Sequence, residues 1–413
     1  MFKNEILLIA TLFILAISGF NGYIIEIGLL NINHSMLNLL LDASLFIVAF
    51  FSIKDTTHFR KYLFVFFLFI ILTTITYALN VNDLTTITYF NGLREFIPYF
   101  LFPIIYLNLL ESSWRDIFIK KFNTFLYIFL VLQIPVAFYQ FSIEGAGDAV
   151  GGTQGTGFSG ILTFIVFLAT FYLMTQEFDE NTIFGSLMKK SYLLIFWLPA
   201  FINETKISYL LIPLFLFLLV KIVAKNIPKY INITLILIPS LFIFNSIYQS
   251  VTPQFDSTEF LSNDFLANYL ASDNEEQEDI PRFEKLAIFM NNFDTQDILF
   301  GKGVGQFKGG TTLELTPFAA MYEWLLHGSI PMVFFLLVQI GIIGTIIFLL
   351  SWIVLITFRS VKRSVNYSSN LIIFATVCFL IIQLYNDSLR SLFFCGIIMY
   401  VMCYAISPSK TEK

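Results

Sequence analysis

Charged side chains are scarce in this sequence. Aspartate, glutamate, lysine and arginine make up 13% of the 413 residues, whereas hydrophobic residues make up 57% and the mean hydropathy is +0.77. Water-soluble domains carry about 25% charged residues. The composition therefore excludes a soluble globular protein of this length and predicts that the chain lies in a lipid bilayer.

Cysteine and histidine are also rare, with three residues of each. Cys378, Cys395 and Cys403 fall in the last two apolar stretches, and none stands near a histidine or a second cysteine at the spacing of a zinc site. We therefore expect no disulfide framework, no metal site and no cofactor. The net charge of −5, with basic residues scattered over short segments, argues against nucleic acid as a partner.

Apolar runs, by contrast, are long and numerous. About twelve stretches rich in Phe, Leu and Ile approach the roughly 20 residues that a helix needs to cross a bilayer. We expect an all-α, polytopic membrane protein with about 12 transmembrane helices. The first run favours a span over a cleaved signal peptide, because many spans follow it. The predicted spans are residues 6–20, 36–53, 62–79, 96–110, 122–141, 159–175, 192–202, 207–220, 231–248, 331–358, 371–385 and 392–406.

The distribution of lysine and arginine predicts the orientation. With both termini in the cytoplasm, all but seven of the 24 basic residues fall on cytoplasmic segments, as the positive-inside rule requires. The seven outer cations suggest an anionic ligand, and the alternative is that they pair with outer carboxylates such as Glu95, Glu204, Glu323 and Asp387. The seven are Arg94, Lys206, Arg282, Lys285, Lys302, Lys308 and Arg390.

One large loop divides the predicted chain into three parts. Residues 1–248 hold transmembrane helices 1–9, residues 249–318 form an extracytoplasmic loop subdomain between helices 9 and 10, and residues 319–413 hold helices 10–12 and a cytoplasmic tail. The acidic run at 273–279 in this loop is typical of a solvated turn.

Two amphipathic helices are expected within this loop, lying over the outer ends of the bundle. Apolar residues recur at helical spacing over 260–270, and again at Phe283, Leu286, Ala287 and Met290 behind a proline suited to a helix start. Such a pair of helices would form a lid that closes a site against the membrane.

Two glycine-rich stretches are candidates for backbone contact with a ligand. Gly301, Gly303 and Gly305 surround Lys302 and resemble a phosphate cradle, because glycine lets successive N–H groups approach an anion. The alternative is a plain turn, and the spacing of a nucleotide-binding loop is absent. The stretch 145–160 either lines a cavity or, as the simpler interpretation, is a mobile connecting loop.

Three positions inside the apolar runs are unusual. Asp42 is a carboxylate within the second span, which is costly unless it is paired, and Arg94 and Arg390 are both candidate partners. Gly341 and Gly344 predict close helix packing in the tenth span. His327 lies just ahead of the tenth span, and a lone histidine in a sequence is more often structural than catalytic.

Seven short motifs follow one another along the chain. They are Asn91-Gly92-Leu93-Arg94, the loop 145–160, Asn203-Glu204-Thr205-Lys206-Ile207-Ser208, Arg282, Gly301 to Phe307, His327, and Ile340-Gly341-Ile342-Ile343-Gly344. Taken in order, they resemble the superfamily of bacterial O-antigen polymerases, which polymerise oligosaccharide repeat units, and the related O-antigen ligases. The family often has Ser-Arg or Ser-Lys where this chain has Thr205-Lys206, and His-Asn where it has His327-Gly328.

The resemblance implies a glycosyltransferase that needs no nucleotide sugar. It would transfer oligosaccharide repeat units from an undecaprenyl diphosphate carrier to a growing surface glycan, such as lipopolysaccharide O-antigen or capsule, on the outer face of the bacterial cytoplasmic membrane. The implied partners are undecaprenyl-diphosphate-linked oligosaccharide, membrane lipid and a chain-length regulator protein.

The resemblance also implies roles for individual residues. Cations at the membrane boundary would neutralise the leaving diphosphate, with contacts from the glycines Gly301, Gly303 and Gly305. Glu323 and His327 lie at i and i+4, one helical turn apart, and either would accept the proton of the attacking sugar hydroxyl. The expected diphosphate ligands are Arg94, Lys206, Arg282 and Arg390.

Two other functions remain open from the sequence. A ligase of the same superfamily would use the same donor but a distinct acceptor, such as lipid A core or a protein. A secondary transporter or lipid flippase also suits about a dozen spans, although the chain shows no internal repeat and its outer cations gather around one loop rather than at the bilayer midplane.

Overall fold

All regular elements in the described part of the chain are helices, which confirms the prediction of an all-α fold. The structure is a computed structural model. It describes residues 2–28, 34–53, 57–145, 147–176, 190–203, 205, 207–223, 282–307, 316–326, 330–357 and 366–407.

Nine α-helices are described before the large predicted loop. They are α1 (Phe2–Glu26), α2 (His34–Ser52), α3 (Thr57–Leu79), α4 (Thr86–Leu93), α5 (Ile97–Glu111), α6 (Arg115–Glu144), α7 (Ser159–Thr175), α8 (Leu198–Ile202) and α9 (Ser208–Val223). Six more are described from residue 282 onward, namely α10 (Arg282–Asn292), α11 (Thr295–Phe300), α12 (Pro317–Tyr322), α13 (Met332–Thr357), α14 (Asn366–Tyr385) and α15 (Leu392–Ile406). Four short 3₁₀ helices join them, at Gly152–Gln154, Ser191–Trp197, Glu323–Leu326 and Ser388–Arg390.

Four of these helices are long and apolar enough to cross a membrane. They contain the segments Lys3–Glu26, Arg60–Leu79, Arg115–Glu144 and Met332–Thr357, and the pair α4 and α5, bent by 43°, makes a fifth if it forms one broken span. Six shorter apolar helices of 10–17 residues accompany them. The predicted span at 231–248, and most of the predicted loop, lie outside the described residues.

Two predicted spans differ in detail from the structure. Residues 86–93, which lie outside the predicted fourth span, form α4, and α4 meets α5 at a bend of 43°. The seventh span begins as a 3₁₀ helix and becomes α-helical only at α8, where Pro199 lies in the first turn. Proline is tolerated there because the first amide groups of a helix have no partner within it.

The bundle is organised around α15. Its side chains from Phe393 to Cys403 are buried on every side, as expected for a helix that is apolar all round. The ring of Tyr400 stacks on Phe122 of α6 at 3.4 Å between centroids, and its hydroxyl lies 2.7 Å from that of Tyr172 in α7. This helix therefore joins the early and late halves of the sequence in one core.

Large apolar side chains cover the outside of the bundle. Phe50 of α2 is 63% exposed, and Phe64 and Phe67 of α3 and Ile128 of α6 are more than half exposed. Contiguous exposed apolar surface of this kind is rare on a protein that is surrounded by water. It suits a helix bundle whose periphery contacts lipid.

The second predicted amphipathic helix is α10, but the face that is buried differs from the predicted face by about one residue position. Phe289 and Lys285 are buried, whereas Ala287 and Met290, which were expected to be buried, are exposed. The prediction was made from apolar residues alone, and it therefore missed the buried Lys285. The first predicted helix, at 260–270, lies outside the described residues.

Candidate functional site

Charged side chains gather where the broken helix turns from α4 into α5. Arg94 and Glu95 are adjacent at this turn, and Pro98 in the first turn of α5 has no amide hydrogen to continue α4. Gly92 is needed just before the turn, since a Cβ there would lie 2.2 Å from the backbone nitrogen of Gly305. The break therefore places two opposite charges among apolar helices.

Arg94 pairs with the intramembrane carboxylate of the sequence prediction. Its Nε lies 3.0 Å from Oδ2 of Asp42 in α2, and the two side chains are 19% and 15% exposed. The sequence left Arg94 and Arg390 as alternative partners of Asp42, and the structure selects Arg94.

Arg390 is held by two other carboxylates. Its Nε and Nη2 donate to the two oxygens of Glu95 at 3.1 and 2.7 Å, and its Nη1 donates to Asp387 at 2.6 Å. The guanidinium also lies 4.0 Å from the ring centroid of Phe335 in α13. Burial alone would lower the pKa of Arg390, but Glu95 and Asp387 outweigh it and raise the pKa above its ordinary value.

The two arginines therefore differ in what they offer a ligand. Arg390 uses all three of its nitrogens in bonds to protein carboxylates. Arg94 meets Asp42 through Nε, and within the described ranges its two Nη atoms donate to no other residue. The edge made of the two Nη atoms of Arg94 is the part of this cluster that can bind an anion bidentately.

Residues 301–307, which we call the strap, cross α13 at an interruption of that helix. Gly341 has φ +64°, a left-handed conformation, so the carbonyl groups just before it lose their helical partners. The strap supplies replacements: Lys302 N donates to Val338 O at 2.7 Å and Gly303 N to Gln339 O at 3.0 Å. The two predicted glycine motifs therefore meet each other.

The glycines of the strap serve packing in this structure. Gly305 N donates to the side-chain Oε1 of Gln339 at 2.7 Å, so three of the strap's amide groups are taken up by α13. Gly301, Gly303 and Gly305 are all buried. The geometry matches the plain-turn interpretation of this motif, because these amides already have acceptors within the protein.

The strap also lies against residues next to the two arginines. Gly305 packs on α4 next to Gly92, two residues from Arg94. Phe307 lies 6.4 Å from Phe335, the ring under Arg390. The strap therefore contacts α4, which leads into Arg94, and the ring of Phe335, over which the guanidinium of Arg390 lies.

Gly344, the second glycine of the predicted packing motif, behaves as expected. A Cβ there would lie 2.8 Å from Leu72 of α3, so the two helices approach closely. Gly341 interrupts α13 and also lies at a close approach of two helices, since a Cβ there would lie 2.3 Å from the carbonyl oxygen of Leu299 in α11.

The glycine-rich stretch 145–160 is not a mobile loop in its central part. Residues 150–155 are buried between α1 and α6. Gln133 accepts from Thr153 N at 2.9 Å, and Gln140 accepts from Gly152 N at 2.7 Å. Thr153 in turn donates to the carbonyl of Gly19 at 2.7 Å. The simpler interpretation from sequence was wrong here, because two glutamines of α6 bind the loop backbone.

A buried asparagine links this stretch to the motif at 203–208. Asn203 is 1% exposed and donates to Ser159 O and to the hydroxyl of Thr163, both at 3.0 Å. Its Oδ1 accepts from the hydroxyl of Thr205 at 2.8 Å. Asn203 therefore fixes the start of α7 to the segment that carries Lys206 in the sequence.

Several predicted site residues cannot be compared with the structure. Lys206 and His327 lie outside the described residues, and of Arg282 and Glu323 only the backbone is described. That backbone places Glu323 in a 3₁₀ helix, in which residues i and i+3 share a face. The expectation that Glu323 and His327 share one helical face stays a prediction, because His327 lies outside the described residues.

Phe335 and Gln339 were not singled out from the sequence, although both contact the cluster or the strap. Gln339 carried a detectable signal, since it is a lone amide in an apolar run two residues before Gly341. Phe335 carried none, being one of 50 phenylalanines.

Among the described residues, no group of three His, Cys, Asp or Glu side chains is placed to hold a metal ion.

Comparison of the sequence with protein-family models and with curated proteins finds no match.

Proposed function

We propose that this protein is a polysaccharide polymerase of the bacterial cytoplasmic membrane. In this proposal about 12 helices span the membrane, both termini are cytoplasmic, and residues 249–318 lie outside the cell membrane. The enzyme transfers oligosaccharide repeat units from undecaprenyl diphosphate to a growing glycan on the outer face.

The observation that carries the proposal is the arginine–carboxylate cluster at the break between α4 and α5. Charges inside an apolar bundle are costly and in membrane proteins mark sites of substrate or ion contact. A helix break in such a bundle is tolerated where it is buried in protein or lines a cavity. Among the described residues no acceptor binds the Nη atoms of Arg94, and this edge suits a phosphate group.

In this reaction, positive charge beside the leaving diphosphate matters more than a cofactor. The sugar hydroxyl of one lipid-linked oligosaccharide attacks the anomeric carbon of the other, and the bond from that carbon to the diphosphate oxygen breaks. The hydroxyl proton passes to Glu323 or His327, and undecaprenyl diphosphate leaves with the negative charge. Arg94, with Lys206 and Arg282, stabilises that charge in the transition state.

The described part of the large loop supports a lid over this site. Phe289 of α10 and Phe318 of α12 form an apolar cluster with Phe334 and Val338 at the start of α13. The strap then continues from this cluster to α4. A lid attached in this way would close the reacting groups against water while the lipid tail stays in the membrane.

The test is gene deletion in the native host, complemented with wild type, Arg94→Ala or Arg115→Ala, followed by sizing of the surface polysaccharide on a gel. We expect deletion to leave a single repeat unit, wild type and Arg115→Ala to restore the ladder, and Arg94→Ala to fail at a normal protein level. Arg115 is the matched control because it begins α6, away from the break.

Other outcomes point to other functions. Full-length polymer stranded on the carrier lipid after deletion would identify a ligase. Unchanged polymer after deletion would refute the family assignment and favour a transporter or flippase. A chain-length regulator, if it is a partner, would alter the length of the ladder without abolishing it.

A further inference from the structure

The two arginines at the helix break are neutralised in different ways, and the difference assigns a role to Asp42. Arg390 is bound by Glu95 and Asp387 through all three nitrogens and stacks on Phe335. Among the described residues Arg94 pairs with one carboxylate, and its Nε lies 3.0 Å from Oδ2 of Asp42. In a planar guanidinium the Nε–H and one Nη–H share the edge that faces such a partner, and the second edge, made of one N–H from each Nη atom, points elsewhere.

Asp42 lies deep within α2. It is eight residues after the start of this helix at His34, which corresponds to about 12 Å at 1.5 Å per residue. Its neighbours Leu41 and Leu45 are 4% and 0% exposed. A carboxylate at such a depth requires a cation, and Arg94 supplies one.

We infer that Asp42 is a positioning residue that orients Arg94 toward a diphosphate and lowers the affinity of Arg94 for it. This inference rests on the proposed function and goes beyond it by naming what sets the strength of the site. The pair Arg94 and Asp42 has no net charge, so an arriving anion gains the hydrogen bonds of the Nη edge against the repulsion of Asp42. An enzyme that must release a diphosphate after each transfer benefits from that balance, because uniformly tighter binding does not accelerate the reaction.

Substitutions at Asp42 separate the two effects. Asp42→Asn keeps an oxygen that can accept from Arg94 Nε but removes the negative charge. Asp42→Leu removes both. The first variant therefore reports the electrostatic effect, and the difference between the two variants reports the orientation.

The experiment measures binding of farnesyl diphosphate, a short prenyl diphosphate, to the purified full-length protein in detergent. We expect Asp42→Asn to bind roughly tenfold more tightly than wild type, since a like charge a few ångströms from the ligand is removed. Asp42→Leu should bind more weakly than Asp42→Asn, and Arg94→Ala should lose binding. Asp297→Asn is the control, because it neutralises a carboxylate that pairs with Lys302 at a similar exposure; its affinity should stay within about twofold of wild type.

Polymer formation provides the second readout. Asp42→Asn should make less polymer per unit time despite its tighter binding, because the product diphosphate leaves more slowly. A merely structural role for Asp42 would lower the thermal stability without tightening the binding. If Asp42→Asn does not fold, Arg94→Lys is the alternative, since its ammonium group can pair with Asp42 but has no second edge; its affinity should fall about tenfold.

The outcomes distinguish this inference from the proposed function. Farnesyl diphosphate binding that is absent in wild type, or equal in wild type and Arg94→Ala, refutes the diphosphate site and both proposals with it. Binding that needs Arg94 but is no tighter in Asp42→Asn refutes the inference alone. Equal affinities of Asp42→Asn and Asp42→Leu refute the orienting role, and an unchanged affinity of Arg94→Lys does the same.

Discussion

Replacing Gly341 by alanine tests whether the strap is seated in the interruption of α13. Gly341 has φ +64°, and a Cβ there would lie 2.3 Å from Leu299 O and 2.5 Å from Phe300 N. Both are backbone atoms that cannot rotate away, so the segment leading into the strap must withdraw. An alanine in the left-handed conformation costs about 1–2 kcal/mol by itself.

Withdrawal of the strap also breaks hydrogen bonds. Three amide groups of the strap donate to Val338 and Gln339, and at about 1 kcal/mol each their loss adds about 3 kcal/mol. Gly28 provides the matched control, because it has φ +72° but a Cβ there would meet no atom within 4 Å. Gly28→Ala therefore measures the conformational strain alone, about 1–2 kcal/mol.

The assay is thermal unfolding of the purified variants in detergent. At about 2 °C per kcal/mol, the Tm of Gly341→Ala should fall roughly 6 °C further than that of Gly28→Ala. Polymer formation should fall with it, because the strap touches α4 beside Arg94. Equal Tm values for the two variants would refute the reasoning, since they would show that nothing occupies the interruption of α13.

Three further substitutions test the other buried contacts. Glu95→Gln removes one charge from the pair with Arg390 and should destabilise the protein by about 2–4 kcal/mol in the same unfolding assay, since it leaves a buried cation undercompensated; an unchanged Tm would contradict this. Gln133→Leu leaves the amide of Thr153 without its acceptor, at a cost of about 1–3 kcal/mol, and hydrogen exchange at Thr153 should become faster. Asn203→Ala removes the amide that binds the start of α7, and polymer formation should fall at a normal protein level; full activity of this variant would show that the link is dispensable.

The helices themselves could be predicted from the sequence, because hydropathy is a property of each residue and its neighbours along the chain. The stretch 392–406 is apolar throughout, and it forms the helix α15 with the bounds expected. The break between α4 and α5 was missed because residues 86–93 are too short for a span and look like part of a loop. Their helical form depends on packing against the strap, which is distant in sequence.

Pairing and burial of the polar groups could be predicted only in part. Asp42 was recognised as needing a cation, but whether Arg94 or Arg390 supplies it depends on the tertiary arrangement. The burial of residues 150–155 does have a signal in the sequence. Gln133 and Gln140 are seven residues apart in α6, two helical turns, and so lie on one face where they can bind a backbone segment.

The most direct test of the proposed function is reconstitution of the purified protein in lipid vesicles with one undecaprenyl-diphosphate-linked repeat unit and no other acceptor. The account predicts a ladder of repeat lengths with wild type and only the single repeat unit with Arg94→Ala. A folded wild-type protein that leaves the repeat unit unpolymerised would contradict it, and movement of the intact unit to the other leaflet would identify a flippase instead.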